Sequence, residues 1–289
     1  PIVDLTSGMV TSAEALARWY HPQRGHLPPH RFLESIERSG LLAPFTSHVL
    51  DQALAGAVQW REAGFDLPVA VNVSPRSLLD PAFPDSIPAA LARHSLPPEA
   101  LIVELTETLT LSQLEVVDDV LHTLREFGVS IALDDFGTGY SSLATIARVP
   151  VHELKIDRTF VANLDGAAQA AIVRSTIELG RSLELLVVAE GIEQEDQRER
   201  LWRLGCAAGQ GHLFARPTTL AAFIARLQEG HDGVPGRLAE PIHERSDVIR
   251  LLPARASVRR AGSGRHAAAP APKPRTRPDT TDSRTALPE

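Results

Sequence analysis

Val129-Ser-Ile-Ala-Leu-Asp-Asp-Phe-Gly-Thr-Gly-Tyr-Ser-Ser142 is the stretch on which the fold turns. Val129, Ile131 and Leu133 give a strand signal in an apolar run, the pattern of a parallel strand covered on both faces. Asp134 and Asp135 follow at its C-terminal end, where α/β barrels carry their chemistry. Two neighbouring acids repel each other unless a cation lies between them, because like charges at close range oppose joint ionisation. Gly137 and Gly139 permit tight backbone geometry, and Thr138, Ser141 and Ser142 add hydroxyls. Taken alone, the same residues would also make a polar strand exit and a turn, so their meaning depends on what surrounds them.

Working outward, strands alternate with helices. Upstream, residues 101–107 and 67–73 read as strands, with helices expected over 85–95, 43–63 and 30–39. Residues 2–10 suggest a hairpin around Ser7-Gly8, and Pro22, Gly25, Pro28 and Pro29 mark a loop. The helix expected over 115–127 carries one apolar stripe, from Val116 and Val117 to Leu124 and Phe127, and Gly128 ends it. Downstream the order is a helix around 141–148, a strand over 153–157, a helix over 167–183 and a strand over 185–190. A helix over 194–204, a short strand over 207–214 and a helix over 218–227 complete it. This alternation predicts the α/β class, as a (β/α) barrel, with an open doubly wound sheet as the alternative.

Composition narrows the function. The chain of 289 residues has ample material for a buried core, and it contains no run of 18 apolar residues that would span a membrane. No basic, secretory-type leader is visible at Pro1, and Cys206 is the single cysteine, so neither an intrachain disulfide nor a cysteine-rich metal site is available. A cytoplasmic setting fits, with membrane tethering of a longer protein left open. The start lacks Met and reads as the middle of a strand, which suggests a piece of something longer. The net charge of −7 divides into −11 over residues 1–230 and +4 over 231–289. An acidic body argues against a DNA or RNA polymer as partner, since that needs clustered Lys and Arg. The domain is placed at 1–228; residues 229–289 form a Pro-, Arg- and Ala-rich tail, expected to be disordered from about 255.

Polar residues recur where strands end: Asn72, Glu104 and Glu107, Asp134 and Asp135, Lys155, Glu190 and Glu193, and Gln210, with Glu14 from the first segment. Glu104 interrupts Leu-Ile-Val-Glu-Leu, where an unpaired buried carboxylate would be very costly. A barrel would gather these acids on one face. An oxygen-rich donor set favours Mg²⁺ or Mn²⁺, and two such ions suit in-line attack on a phosphodiester. Lys155 would then orient a water or steady charge, although an ion pair with Glu153 or Asp157 explains it equally well. Arg18 would grip a phosphate. His21, His26, His30, His122, His152 and His212 read as loop, surface or packing residues.

In register, Glu14-Ala-Leu-x-Arg-Trp19, Asn72-x-Ser74, Glu104-Leu-Thr-Glu107, Asp134-Asp-Phe-Gly-Thr-Gly-Tyr-Ser-Ser142, Leu154-Lys-Ile-Asp157, Val188-Ala-Glu-Gly-Ile-Glu193 and Gln210-Gly resemble the EAL-domain family over about residues 1–228. That family comprises bacterial phosphodiesterases that hydrolyse the second messenger cyclic di-GMP to linear pGpG. The resemblance implies a TIM-like (β/α)8 barrel with one antiparallel strand, and two Mg²⁺ or Mn²⁺ ions activating a water. It implies Glu14, Asn72, Glu104 and Asp134 as ligands of one metal, and Asp135 as shared with the second. Lys155 would contact the nucleophilic water, and Glu190 would act as general base or second-metal ligand. Arg18, Gln210 and Glu193 are assigned to the substrate side, and Glu107 to anchoring the loop 136–142, which couples dimerisation to activity in the family. A homodimer through the barrel and upstream sensory or cyclase domains are implied partners. Ile192 and His152 depart from the family's commoner residues, outside the metal set. The alternatives are a receptor that binds the dinucleotide uncut, or an interaction module on the same fold, and an unrelated Mg²⁺-dependent barrel enzyme.

Overall fold

The computed structural model describes residues 1–106, 111–137, 146 and 149–242, with residues 111–116 described by backbone alone. Its first strand explains the topology. β1 (Ile2–Asp4) and β2 (Val10–Ala15) are joined by only five residues, too few for a crossover, so they pair antiparallel. The Asp4 carboxylate holds the turn by accepting from Thr6 N at 3.1 Å, Ser7 N at 2.7 Å and Ser7 Oγ at 2.8 Å. Gly8 completes the turn at φ +71°. A small antiparallel ribbon follows, β3 (Trp19–His21) with β4 (Gly25–Leu27), and then helices α1 (Leu33–Arg38) and α2 (Leu42–Glu62).

The remaining barrel strands are β5 (Val69–Asn72), β6 (Leu101–Thr106), β7 (Ser130–Phe136), β8 (Glu153–Ile156), β9 (Leu186–Ala189) and β10 (Ala208–Gly209). Between and after them come α3 (Phe83–Arg93), α4 (Leu111–Phe127), α5 (Arg158–Ala162), α6 (Ala167–Ser182), α7 (Glu195–Arg203) and α8 (Leu220–Glu229). The sheet closes in the order β1-β10-β9-β8-β7-β6-β5-β2. β1 is antiparallel to both its neighbours and every other barrel pair is parallel. The expected barrel with one reversed strand is therefore observed, and the open sheet is excluded.

Strand alternation separates two environments. Val69, Val71, Leu101, Val103, Leu105, Ile131, Leu133, Leu154 and Ile156 point outward into the main core, where α2 contributes Leu50, Leu54, Ala57 and Trp60 at helical spacing. Inside the barrel lie two small apolar clusters, Ala70–Ile102–Ala132 and Ile2–Val188–Ala208. The same inward rows carry Glu104, Glu153 and Lys155, all buried. The interior thus carries charged side chains among small apolar clusters rather than aliphatic layers throughout.

The loop marked by Pro22, Gly25, Pro28 and Pro29 is in part a paired ribbon, β3–β4, in which Gly25 supplies a positive φ at the turn. Two local expectations need correction. The last barrel strand spans only Ala208–Gly209, not 207–214, since Gly211 begins a turn. Residues 231–242, counted with the C-terminal tail, lie along the β1–β2 turn: Val10 N donates to Gly236 O at 2.8 Å, Leu238 N to Gly8 O at 2.7 Å and Ile242 N to Thr6 O at 2.7 Å. Buried Arg198 of α7 clasps this strap, donating to Leu5 O and Glu240 O while pairing with Glu195. The helix expected around 141–148 falls almost wholly outside the described residues.

Candidate functional site

At the C-terminal ends of the strands the inward rows converge on Lys155. Its ammonium, 0% exposed, lies 2.8 Å from Glu190 Oε1, 3.0 Å from Glu104 Oε1, 3.4 Å from Asp134 Oδ1 and 3.6 Å from Glu14 Oε2. Four strands and the loop after β9 therefore place their side chains around one point. The ion pair with Glu153 or Asp157, offered as the bland explanation of Lys155, gives way to these four contacts. Two amides stitch the ring. Asn72 Nδ2 donates to Glu14 Oε1 at 2.7 Å and to Glu104 Oε2 at 3.0 Å. Gln210 Nε2 donates to Glu14 Oε2 at 2.9 Å and to Glu190 Oε1 at 2.7 Å.

How Asp134 and Asp135 come to the same site is a backbone matter. In a regular strand, adjacent residues face opposite sides. Here β7 gains one residue against β8: Leu133 pairs with Leu154, but Phe136 pairs with Ile156. Asp135 takes the extra position at φ +56°, a left-handed conformation that Asp tolerates better than most side chains. Such a bulge re-aims a side chain. As a result Asp134, Asp135 and Glu190 offer carboxylate oxygens all within 4.8 Å of one another. Gln210 is placed by a close approach. A Cβ on Gly211 would lie 2.0 Å from Ile192 O, so only glycine lets the loops after β9 and β10 touch. Ile192 N donates to Gln210 O at 3.0 Å across that contact.

The electrostatics are those of a site short of positive charge. Burial, followed by the repulsion of Glu14 and Asp134, holds the Glu104 carboxyl well above its ordinary value despite Lys155. Burial and the charge of Asp134 push Glu190 up to about 7 against the pull of Lys155. Asp135 is raised by burial, then by Asp134 and Asp157. Glu14 moves the other way. Burial would raise it, but the Lys155 charge and the hydrogen bonds from Gln210 and Asn72 outweigh that and hold it low. Lys155 is held well above its ordinary value, because the carboxylates outweigh the burial that would lower it.

The donor set fits hard divalent cations. It consists of carboxylate and amide oxygens, without histidine or sulfur. Glu104 Oε1 is buried and faces the Lys155 ammonium at 3.0 Å, so this oxygen already sits where a cation is held.

Other expected site residues lie outside this ring. Glu193 is 65% exposed in its side chain and sits 3.7 Å from His212 on the loop after β9. Arg18 is exposed just past β2, donating to Ala17 O. Glu107 lies outside the described residues. Sequence reasoning passed over Glu37, which accepts from Ser74 Oγ at 2.8 Å and lies 3.4 Å from Arg76. The only available signal was Ser74 in the Asn72-x-Ser74 motif, which gives no hint of a partner on α1.

The EAL domain family matches residues 1–217. The chain is 42% identical over 229 residues to the bifunctional diguanylate cyclase/cyclic di-GMP phosphodiesterase MucR of Pseudomonas aeruginosa, covering 78% of this chain and 33% of that protein. It is 38% identical to the cyclic di-GMP phosphodiesterase RocR of the same organism, covering 78% of this chain and 57% of RocR. The chain thus spans about a third of the length of MucR and little over half that of RocR. In structure it resembles the MucR phosphodiesterase in complex with c-di-GMP, with a TM-score of 0.72 and 41% identity, over 77% of this chain and 91% of that one. On its barrel with one reversed strand, its motifs in register and these matches, the chain belongs to the EAL domain family.

Proposed function

We propose that this chain is a metal-dependent cyclic di-GMP phosphodiesterase that releases linear pGpG. The observation that carries the reading is the ring of carboxylates around Lys155. Glu14, Glu104, Asp134, Asp135 and Glu190 against one ammonium leave a formal charge of −4 when all are ionised, which two divalent cations would neutralise. Retaining such a cluster is costly unless it has a cation to hold. Glu14, Asn72, Glu104 and Asp134 would hold one Mg²⁺ or Mn²⁺, and Asp135 with Glu190 the second. When bound, the ions supply Lewis-acid stabilisation and make a water acidic enough to attack at neutral pH.

The chain's own groups account for the rest. Glu190, whose Oε1 lies 2.8 Å from Lys155 Nζ, would accept the proton of the attacking water at a carboxylate oxygen. Lys155 Nζ keeps its proton throughout, orients that water and offsets charge growing on the phosphate. Arg18 would pair with a phosphate oxygen at the rim. Water adds to phosphorus, the bond to the 3′-oxygen breaks, and that oxygen leaves as the 3′-hydroxyl after taking up a proton. The similarity of the chain to MucR and RocR, both named as cyclic di-GMP phosphodiesterases, supports the substrate. Sensory or cyclase modules upstream in a longer protein and a homodimer through the barrel belong to the same proposal, as does the assignment of the catalytic domain to 1–228.

The test is cyclic di-GMP turnover with Mg²⁺ or Mn²⁺, beside Glu190→Gln. The native chain should release pGpG, and the variant should lose most of that rate while still binding the dinucleotide. Turnover that survives the substitution would reject Glu190 as base. Binding without turnover by the native chain would favour the receptor reading.

A further inference from the structure

The barrel closes where its strands are shortest. β10 has two residues and β1 three, and they share only two register pairs, Val3 with Gly209 and Asp4 with Ala208. β2 joins β5 only from Ala13 to Ala15, so Val10, Thr11 and Ser12 rely for strand pairing on β1, where the register itself shifts. Strand pairs this short are marginal by themselves. At the mouth of the barrel the site spans this seam: Gln210, just past β10, donates to Glu14 of β2 at 2.9 Å.

The other end of the seam is covered by residues 231–242, beyond the residues 1–217 that the family matches. Arg237 bridges antiparallel to Met9, and Val10 N, Gly8 O and Thr6 O all find their partners in this strap. Leu238 and Ala239 sink into the main core, and a Cβ on Gly8 would lie 2.0 Å from Ala239 O, so only glycine allows the approach. Arg198 binds Leu5 O and Glu240 O, holding turn and strap with one buried guanidinium. Val10, tied to the strap, and Glu14, in the site, lie on the same strand, about 13 Å apart. A segment docked by three backbone bonds to the turn and two apolar side chains can open well before the barrel unfolds. We propose that residues 231–242 are a releasable buckle on the closing seam. Seated, they keep β1 and β2 in register and so hold Glu14 against Gln210; released, they loosen the cation site from the far end of the barrel. The effect on cations rests on the proposed metal centre, whereas the effect on the seam does not.

Native-state hydrogen exchange of the full wild-type chain in low urea tests the seam without any variant. The amides of Val10, Leu238 and Ile242 should open together with that of Leu5, which bonds Ala207 O across the seam, and ahead of those in β6 and β7. A Leu5 amide as protected as the amides of β6 and β7 overturns the buckle. Leu238→Lys, which forces a charge into the core, is then compared with Leu124→Ala, a core change in α4, which packs on β7. Leu238→Lys should speed exchange at Leu5 and weaken Mn²⁺ binding in calorimetry about ten-fold, with kcat in saturating Mn²⁺ changed far less. Leu124→Ala should leave the Mn²⁺ affinity as it is. A freed strap with unaltered Mn²⁺ affinity rejects the buckle and leaves the hydrolase standing. If neither wild type nor variant binds Mn²⁺, yet Leu5 exchanges faster in Leu238→Lys, the buckle stands and the metal-dependent hydrolase falls.

Discussion

Two cations are buried to the same degree at opposite ends of this barrel, and they are handled in opposite ways. Arg198, 1% exposed, gives its guanidinium to the carbonyls of Leu5 and Glu240 and to the Glu195 carboxylate, a set of donors and acceptors that match. Lys155, 0% exposed, faces four carboxylates within 3.6 Å, more anions than one ammonium can neutralise. A satisfied buried network rigidifies a fold, whereas an over-supplied charge cluster is a strained one that a ligand can relieve. Burial of a charge therefore does not by itself mark a site; the balance of its partners does.

The sharpest way to break the contrast is to remove each cation in turn. Lys155→Met should cut cyclic di-GMP turnover about 10²–10³-fold, the usual loss when one charge-stabilising group leaves an active site. Equal turnover per folded molecule would end the functional account of Lys155. Arg198→Met should instead lower unfolding stability by roughly 1–3 kcal/mol in urea titrations, because it leaves the buried Leu5 carbonyl without its donors, with turnover per folded molecule little altered. A stability cost under about 1 kcal/mol would show the strap is held by backbone bonds alone.

The two ends should also differ in their response to pH. Glu104, Asp135 and Glu190 titrate above their ordinary values in the folded chain, Glu190 at about 7, so folding favours their protonated forms. The stability they lend is present below the ordinary carboxylate range and is lost as pH rises through the folded values. Glu14 acts only below that range and Lys155 only above 10, so neither reverses the trend between pH 5 and 8. In EDTA the melting temperature should fall from pH 5 to pH 8, and added Mn²⁺ should restore more at pH 8 than at pH 5. A flat profile would contradict the crowding of charge. The smallest expected effect is at Cys206, beside the ends of β9 and β10, whose burial pushes its thiol up to about 12. Thiol reagents at pH 8 should leave it unlabelled in the native chain and label it faster in Arg198→Met, whose clasp is gone.

Legibility in the sequence followed the same division. The barrel was readable because Val129, Ile131 and Leu133, preceded by the striped helix over 115–127, already announce a strand–helix alternation that the rest of the chain repeats. The acids at the mouth were readable because a carboxylate in Leu-Ile-Val-Glu104-Leu contradicts its surroundings. What escaped were features made by backbone geometry or by distant partners. The bulge that turns Asp135 inward depends on a one-residue slip against β8, which no local pattern announces. The strap over 231–242 reads as tail, since its Gly and Pro residues suit a loop and its order comes from hydrogen bonds to residues 6–10. Glu193 shares a motif with Glu190 but stands at the solvent, three residues along a turning loop.

The most direct measurement is product analysis of cyclic di-GMP incubated with the purified chain in Mg²⁺ or Mn²⁺ and in EDTA. The carboxylate ring predicts pGpG with either metal and none in EDTA. Product formed equally in EDTA, or none under any condition, would contradict a ring built to hold hydrolytic cations.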